Sequence, residues 1–185
     1  MIIIGITGTI GAGKGTAVEY LVEKKGFVHH SVRAYLLEEI LRRNWPQNRD
    51  SMFNLANELR TLHGSSYVTD QLYFRALESN QNCVIESIRT PGEIASLKEK
   101  ANFFLFAIDA DPKIRYSRIL ARQSETDQIS FKTFQENEAR EMVSTDPNKQ
   151  NLQVCKQLAD FVITNNATKE DLFRKVEKIF LKITS

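Results

Sequence analysis

The chain has 185 residues, 42% hydrophobic and 26% charged, which suits one folded domain with a full core and excludes a disordered tail. Lys plus Arg number 25 against 23 Asp plus Glu, so a net charge of +2 gives no overall case for binding nucleic acid or a membrane surface. Cys83 and Cys155 are the only cysteines, with no CxxC and no zinc spacing, and the short apolar opening lacks the basic flank of a signal peptide. The expected address is the cytoplasm.

Short apolar runs alternate with helical periods along the chain, the α/β pattern. Residues 2–7 read as a buried strand. Residues 14–25 read as a helix with Ala17, Val18, Leu21 and Val22 on one face, ended by Gly26. A short second strand is expected over 27–30. Two or three helices follow between 32 and 79, the first broken at Asn44-Trp45-Pro46. Residues 83–86 read as a third strand and the aromatic run 103–109 as the clearest one. The next helix begins at Asp111-Pro112, with Pro at its first position. Another covers 131–143, a last strand 161–163, and an amphipathic helix 168–182, opened by Thr168 and Asp171 in capping-box spacing. These elements predict a single domain over 1–185: three α/β/α layers around a five-stranded parallel sheet. In such open sheets ligands meet the carboxyl ends of the strands.

After the first expected strand stands Gly8-Thr9-Ile10-Gly11-Ala12-Gly13-Lys14-Gly15-Thr16, which contains G-x-x-x-x-G-K between a strand and a helix, the setting a phosphate-binding loop requires. Glycines let successive backbone N–H groups turn inward on phosphate oxygens, and the helix N-terminus adds its positive dipole end. Gly11, Ala12, Gly13, Lys14, Gly15 and Thr16 are the expected nucleotide-binding residues, with Lys14 supplying charge for the β- and γ-phosphates. Gly15 takes the place of the usual Mg²⁺-ligating Ser or Thr, which argues against switch GTPases and motor ATPases.

Other strand ends carry further candidates. Glu86 and Arg89 follow the third strand in Glu86-Ser87-Ile88-Arg89-Thr90, and a loop ion pair is the plain alternative for them. Glu93 suits either ligand contact or the first turn of a helix after Pro91. Arg115, Arg118 and Arg122 recur at i, i+3 and i+7, on one helical face. Clustered guanidinium groups serve a phosphoryl transition state, although a solvated basic face has the same pattern. His29, His30 and Arg33 lie at the end of the second strand, and Trp45 either packs under the helices or covers the core.

Gly13-Lys14-Gly15-Thr16 resembles the loop of adenylate kinases, and residues 86–90 resemble the Asp-Gly-x-(Pro)-Arg-Thr segment of nucleoside-monophosphate kinases. Nearly the whole chain is similar to the P-loop superfamily of nucleoside-monophosphate and dephospho-CoA kinases. Two groups in it look closest. One is the archaeal dephospho-CoA-kinase-like proteins, whose Asp-Gly-Ile-Arg-Ser and Ala-Asp-Tyr-x-Ile-x-Asn segments match residues 86–90 and 159–165. The other is the kinase-like domain attached to deoxycytidylate deaminases, although the deaminase zinc motif is absent from this sequence.

The resemblance implies an ATP- and Mg²⁺-dependent phosphotransferase acting on a nucleotide-like small molecule, with a deaminase-type protein as an expected partner. Lys14, Arg89, Arg118 and Arg122 would be catalytic, and Arg33, Arg89 and Arg140 would bind the acceptor. Glu86 and Thr16 would serve the metal through water. The acceptor-binding helices would fall in about 31–80 and a short lid in about 122–130. One departure stands after the second strand, where the family's Asp and Arg are replaced by Ala34 and Leu37. Three readings follow: Arg33 replaces the lost charge, the acceptor is not a standard nucleoside monophosphate, or the domain is a regulatory nucleotide-binding module with little catalysis. No N-K-x-D guanine motif is present to support a GTPase.

Overall fold

A computed structural model describes residues 1–122 and 128–184. Five strands form one sheet: β1 (Ile2–Thr7), β2 (Val28–Ser31), β3 (Cys83–Glu86), β4 (Asn102–Asp109) and β5 (Phe161–Thr164). Their order is β2-β3-β1-β4-β5 and every pairing is parallel. The central position of β1 explains its composition, because a strand covered on both faces reads as a continuous apolar run. Gly5 interrupts that run for a packing reason. A Cβ there would stand 2.5 Å from Ile88 Cδ1 and 2.6 Å from the Phe103 ring.

Nine helices are described: α1 (Lys14–Lys25), α2 (Val32–Arg42), α3 (Arg49–His63), α4 (Tyr67–Ser79), α5 (Pro91–Lys100), α6 (Pro112–Ala121), α7 (Phe131–Met142), α8 (Leu152–Gln157) and α9 (Lys169–Thr184). Two apolar cores lie on opposite sheet faces. One joins Ile3, Ile85 and Leu105 to α2, α3, α4, α5 and Cys155 of α8. The other joins Ile4, Ile6 and Phe106 to α1 and α9. This is the expected three-layer architecture. Among the described residues no helix is long and apolar enough to cross a membrane.

Most boundaries fall within a residue or two of the sequence expectation. The stretch 32–79 resolves into three helices, each with its own stop. Trp45 packs against the first core under the Arg43 guanidinium, 5.3 Å from its ring centroid. α8 was not expected. Six residues are too short to show a helical period, and its boundary comes from Asn151, whose side chain accepts from the Val154 N–H. Of the expected lid at about 122–130, residues 123–127 lie outside the described residues.

Candidate active site

The register brings the functional strand ends together. Ile6 of β1 pairs with Glu86 of β3, and Glu86 pairs with Ser31 of β2. The loops after all three strands therefore open on one side of α1's N-terminus.

The loop after β1 leaves backbone donors open at the start of α1. Gly13 caps α1 at φ 102 with no side-chain cap, so the first amides of the helix are left to a ligand. A Cβ on Gly13 would stand 2.2 Å from Asn165 Nδ2, whose amide donates to the Ala12 carbonyl at 2.8 Å. Asn165 thus fixes the loop from the end of β5. A Cβ on Gly15, by contrast, would meet nothing within 4 Å. The Lys14 ammonium donates to the Thr9 carbonyl at 3.0 Å. Burial, and next the charge of Arg89, push its pKa down to about 8, against the opposite pull of Glu86 and Glu141.

Beside Lys14 lies a cavity of about 400 Å³. Arg33, Arg49, Arg60, Arg89 and Arg122 line it with Lys14, against the carboxylates of Glu86 and Glu141. Val32, Leu36, Met52, Phe53 and Ala56 supply an apolar wall. The sequence-selected Lys14, Arg33, Glu86, Arg89 and Arg122 are thus brought together. Ala34 and Leu37 are not among the lining residues, whereas Val32, Arg33 and Leu36 are. Thr16 lies in the first turn of α1 and does not line this cavity.

A tight turn aims Arg89. Ser87 is held at φ 75, a region that side chains seldom occupy, and both Ser87 and Ile88 N–H groups donate to the Ile6 carbonyl. The Thr7 hydroxyl donates to the Ile88 carbonyl at 2.8 Å. Glu93 completes the clamp. One of its oxygens accepts from the Arg89 and Thr90 N–H groups at 2.6 and 2.9 Å, in a capping box with Thr90. The other accepts from Arg60 at 3.2 Å, and both side chains are fully buried. Glu93 is therefore an internal brace and is not among the residues that line the cavity.

The Arg89 guanidinium donates to Glu141 and, at 2.9 Å, to Gln150. Glu141 also accepts from Arg49 at 2.9 Å. Burial pushes the Glu141 carboxyl up, but Arg89 and Arg49 more than offset this and hold it below the ordinary carboxylate range. Glu86 behaves alike: burial raises it, while a hydrogen bond from His29 and the charges of Lys14 and Arg89 bring it below that range. His29 Nε2 lies 3.3 Å from Glu86, which gives His29 a partner rather than a ligand.

The arginine triplet of α6 does not act as one cluster. Arg115 is buried and pairs with Glu138 at 2.7 Å, behind the phosphate loop. Arg118 donates to the carbonyls of Asn165 and Ala167. Only Arg122, the C-cap, lines the cavity. Helical spacing placed them near one stripe, but different neighbours claim each side chain. Arg140 is also redirected. It is half exposed, stacks on Phe53 at 4.6 Å and faces Asp50, so the adjacent Glu141, and not Arg140, enters the cavity. Arg49, Arg60, Glu141 and Gln150 are lining residues that strand-end reasoning passed over, because three elements unrelated to those strand ends deliver them.

A phosphate loop at the carboxyl edge of a five-stranded parallel sheet, with a cationic cavity beside its lysine, defines a P-loop kinase-like protein. A domain family described as AAA domain, AAA_18, matches residues 4–144. A UPF0200 protein of Methanococcus maripaludis is 31% identical over 188 residues, covering 99% of this chain and 98% of that protein. One from Thermococcus kodakarensis is 25% identical, covering 100% and 99%. The chain belongs to the UPF0200 family. Among solved structures, TT1252 from Thermus thermophilus superposes at TM-score 0.62 with 22% identity over 100% of this chain and 98% of that one. A shikimate kinase from Acinetobacter baumannii reaches 0.51 with 14% identity over 97% and 93%. These two likenesses show the fold.

Proposed function

We propose that this chain transfers the γ-phosphate of ATP to a phosphorylated small-molecule acceptor, a nucleoside monophosphate or a related nucleotide. The observation that carries this reading is the cavity in which Arg89 and Arg33 face the same space as Lys14. An acceptor phosphate held by arginine forks meets the transferring group beside the lysine, and positioning of this kind supplies much of phosphoryl-transfer catalysis. The amides of residues 11–16 and the Lys14 ammonium would hold the triphosphate. Arg122 and Arg118 would serve developing charge and the nucleotide edge.

Mg²⁺ fits as a shared guest. Among the described residues no group of three or more His, Cys, Asp or Glu forms a protein cage. A single ionised carboxylate, Glu86, suits an ion that keeps its waters and takes phosphate oxygens, with Thr16 as a second water-mediated partner. When bound, Mg²⁺ supplies charge neutralisation between the phosphates.

Activity is tested by ADP release with a panel of nucleoside monophosphates and dephospho-CoA. Lys14→Ala should abolish ATP binding by calorimetry with the fold intact. Arg89→Lys should raise the acceptor KM and lower kcat/KM by about tenfold while leaving the ATP KM alone, because lysine keeps the charge and loses the fork. A second reading, a regulatory nucleotide-binding module, draws on the pairing of Arg89 with Glu141 and Gln150. It predicts that ATP binds, that no acceptor is phosphorylated and that Arg89→Lys changes nothing.

A further inference from the structure

The lining face of α3 is a stripe of Arg49, Met52, Phe53, Ala56 and Arg60, spaced as one side of a helix. It is cationic at both ends and apolar between, with Arg49 and Arg60 about 16 Å apart along the axis at ~1.5 Å per residue. Arg49 faces Glu141 beside the Arg89 guanidinium. Arg60 sits at the other end, fully buried, and Glu93 takes one hydrogen bond from its Nη2. Its Nε and Nη1 meet no acceptor among the described residues. Buried polar groups are almost always paired, and a buried guanidinium with N–H bonds to spare is costly. It is a lining residue whose side chain is sealed from solvent, so a partner reaching it from the cavity would find N–H groups with no protein acceptor among the described residues.

We propose that Arg60 is the specificity-determining residue of the acceptor cavity, donating to an oxo group on the end of the acceptor remote from its phosphate. This rests on the phosphotransferase reading above and names the substrate class within it. Charge selects the chemistry. Glu93 already neutralises Arg60, so a second carboxylate there would bury a net negative charge, whereas a neutral carbonyl oxygen accepts without that penalty. The wall between the two arginines is apolar at Phe53 and Met52, which suits a base. The acceptor class is therefore a nucleotide with an oxo base, a 6-oxopurine or a 4-oxopyrimidine. The 6-amino and 4-amino bases present a donor at that exocyclic position, where Arg60 also donates, so the group meets a like partner there instead of an acceptor. Reaching Arg60 requires the side chains that now seal it to part as the base enters.

Two nucleotide pairs test this, each differing at the edge concerned: inosine against adenosine monophosphate, and uridine against cytidine monophosphate. Calorimetry on the wild-type chain should show each oxo member binding about tenfold or more tightly than its amino partner. Arg60→Met alone would strand Glu93 and risks unfolding, so the variant is Arg60→Met with Glu93→Gln, which removes both charges and keeps an amide oxygen for the Arg89 and Thr90 N–H groups. Circular dichroism should show it folded, with the oxo preference lost and the loss of affinity on Arg89→Lys retained. Equal binding of the members in both pairs, or a preference that survives in the folded double variant, overturns the role of Arg60. If the preference is absent but Arg89→Lys still weakens every monophosphate, Arg60 fails while the acceptor phosphate stands. If no monophosphate binds while ATP does, both fall.

Discussion

Lys14 is charged at neutral pH but only by a modest margin, since burial and Arg89 bring its pKa to about 8. Phosphates favour the ammonium form, so nucleotide binding raises that pKa. The sign follows: affinity is fully present below pH 8 and falls as pH rises through 8, by up to about tenfold per unit until the bound-state pKa is reached. Calorimetry of ATP at about pH 7 and about pH 9, in buffers of different ionisation enthalpy, should show weaker binding and proton uptake at the higher pH. A flat affinity would mean that Lys14 is not the phosphate partner. This residue was legible because its motif is local: strand, glycines, lysine and helix lie within a few positions. Arg89 was legible for the same reason, three residues past a strand end. Arg60 and Glu141 were not. Each reaches the cavity only because α3 and α7 pack over the strand ends, and no spacing within the sequence records that packing.

At the scale of elements, α5 shows how much a single cap can organise. Sequence reading offered Glu93 two roles, ligand contact or an acidic residue in a first turn, and the second is correct in an enlarged form. Its carboxylate caps α5, holds the backbone of the arginine loop and pairs with Arg60 on α3. Glu93→Ala should therefore cost more than an ordinary cap. Losing the cap costs about 1 kcal/mol, and leaving a buried guanidinium unpaired adds about 3–5 kcal/mol. Urea unfolding should report a destabilisation of at least about 3 kcal/mol, and a loss near 1 kcal/mol would show that Arg60 finds another partner. Conversely, α6 shows where periodicity overreaches. Its three arginines share a stripe, yet Glu138, the carbonyls after β5 and the cavity each take one. Spacing gives direction along a helix; the neighbours decide which side chain is free to work.

Across the whole molecule, α7 links the far side of the site to the strand ends. Glu141 brings a carboxylate to Arg49 and to Arg89, the group proposed to receive the acceptor phosphate. Two anions cannot share those guanidinium groups without repulsion, so acceptor binding should displace Glu141 or shift α7. Glu141→Gln keeps the shape and removes the competing charge. The change should tighten binding of a nucleoside monophosphate by roughly three- to tenfold, the range for one partly exposed ion pair. It should also change ATP affinity much less, because the pull of Glu141 on Lys14 ranks behind burial, Arg89 and Glu86. In the wild type, the same competition gives a pH signature. The Glu141 carboxyl is held below the ordinary carboxylate range by its arginines, so it stays ionised through neutral pH and competes throughout. Acceptor affinity should therefore show no step from Glu141 between about pH 5 and about pH 7. Calorimetry with Glu141→Gln decides the matter: tighter monophosphate binding identifies a displaceable stand-in for phosphate, whereas weaker binding would show that Glu141 orients Arg89 and belongs to the binding machinery itself.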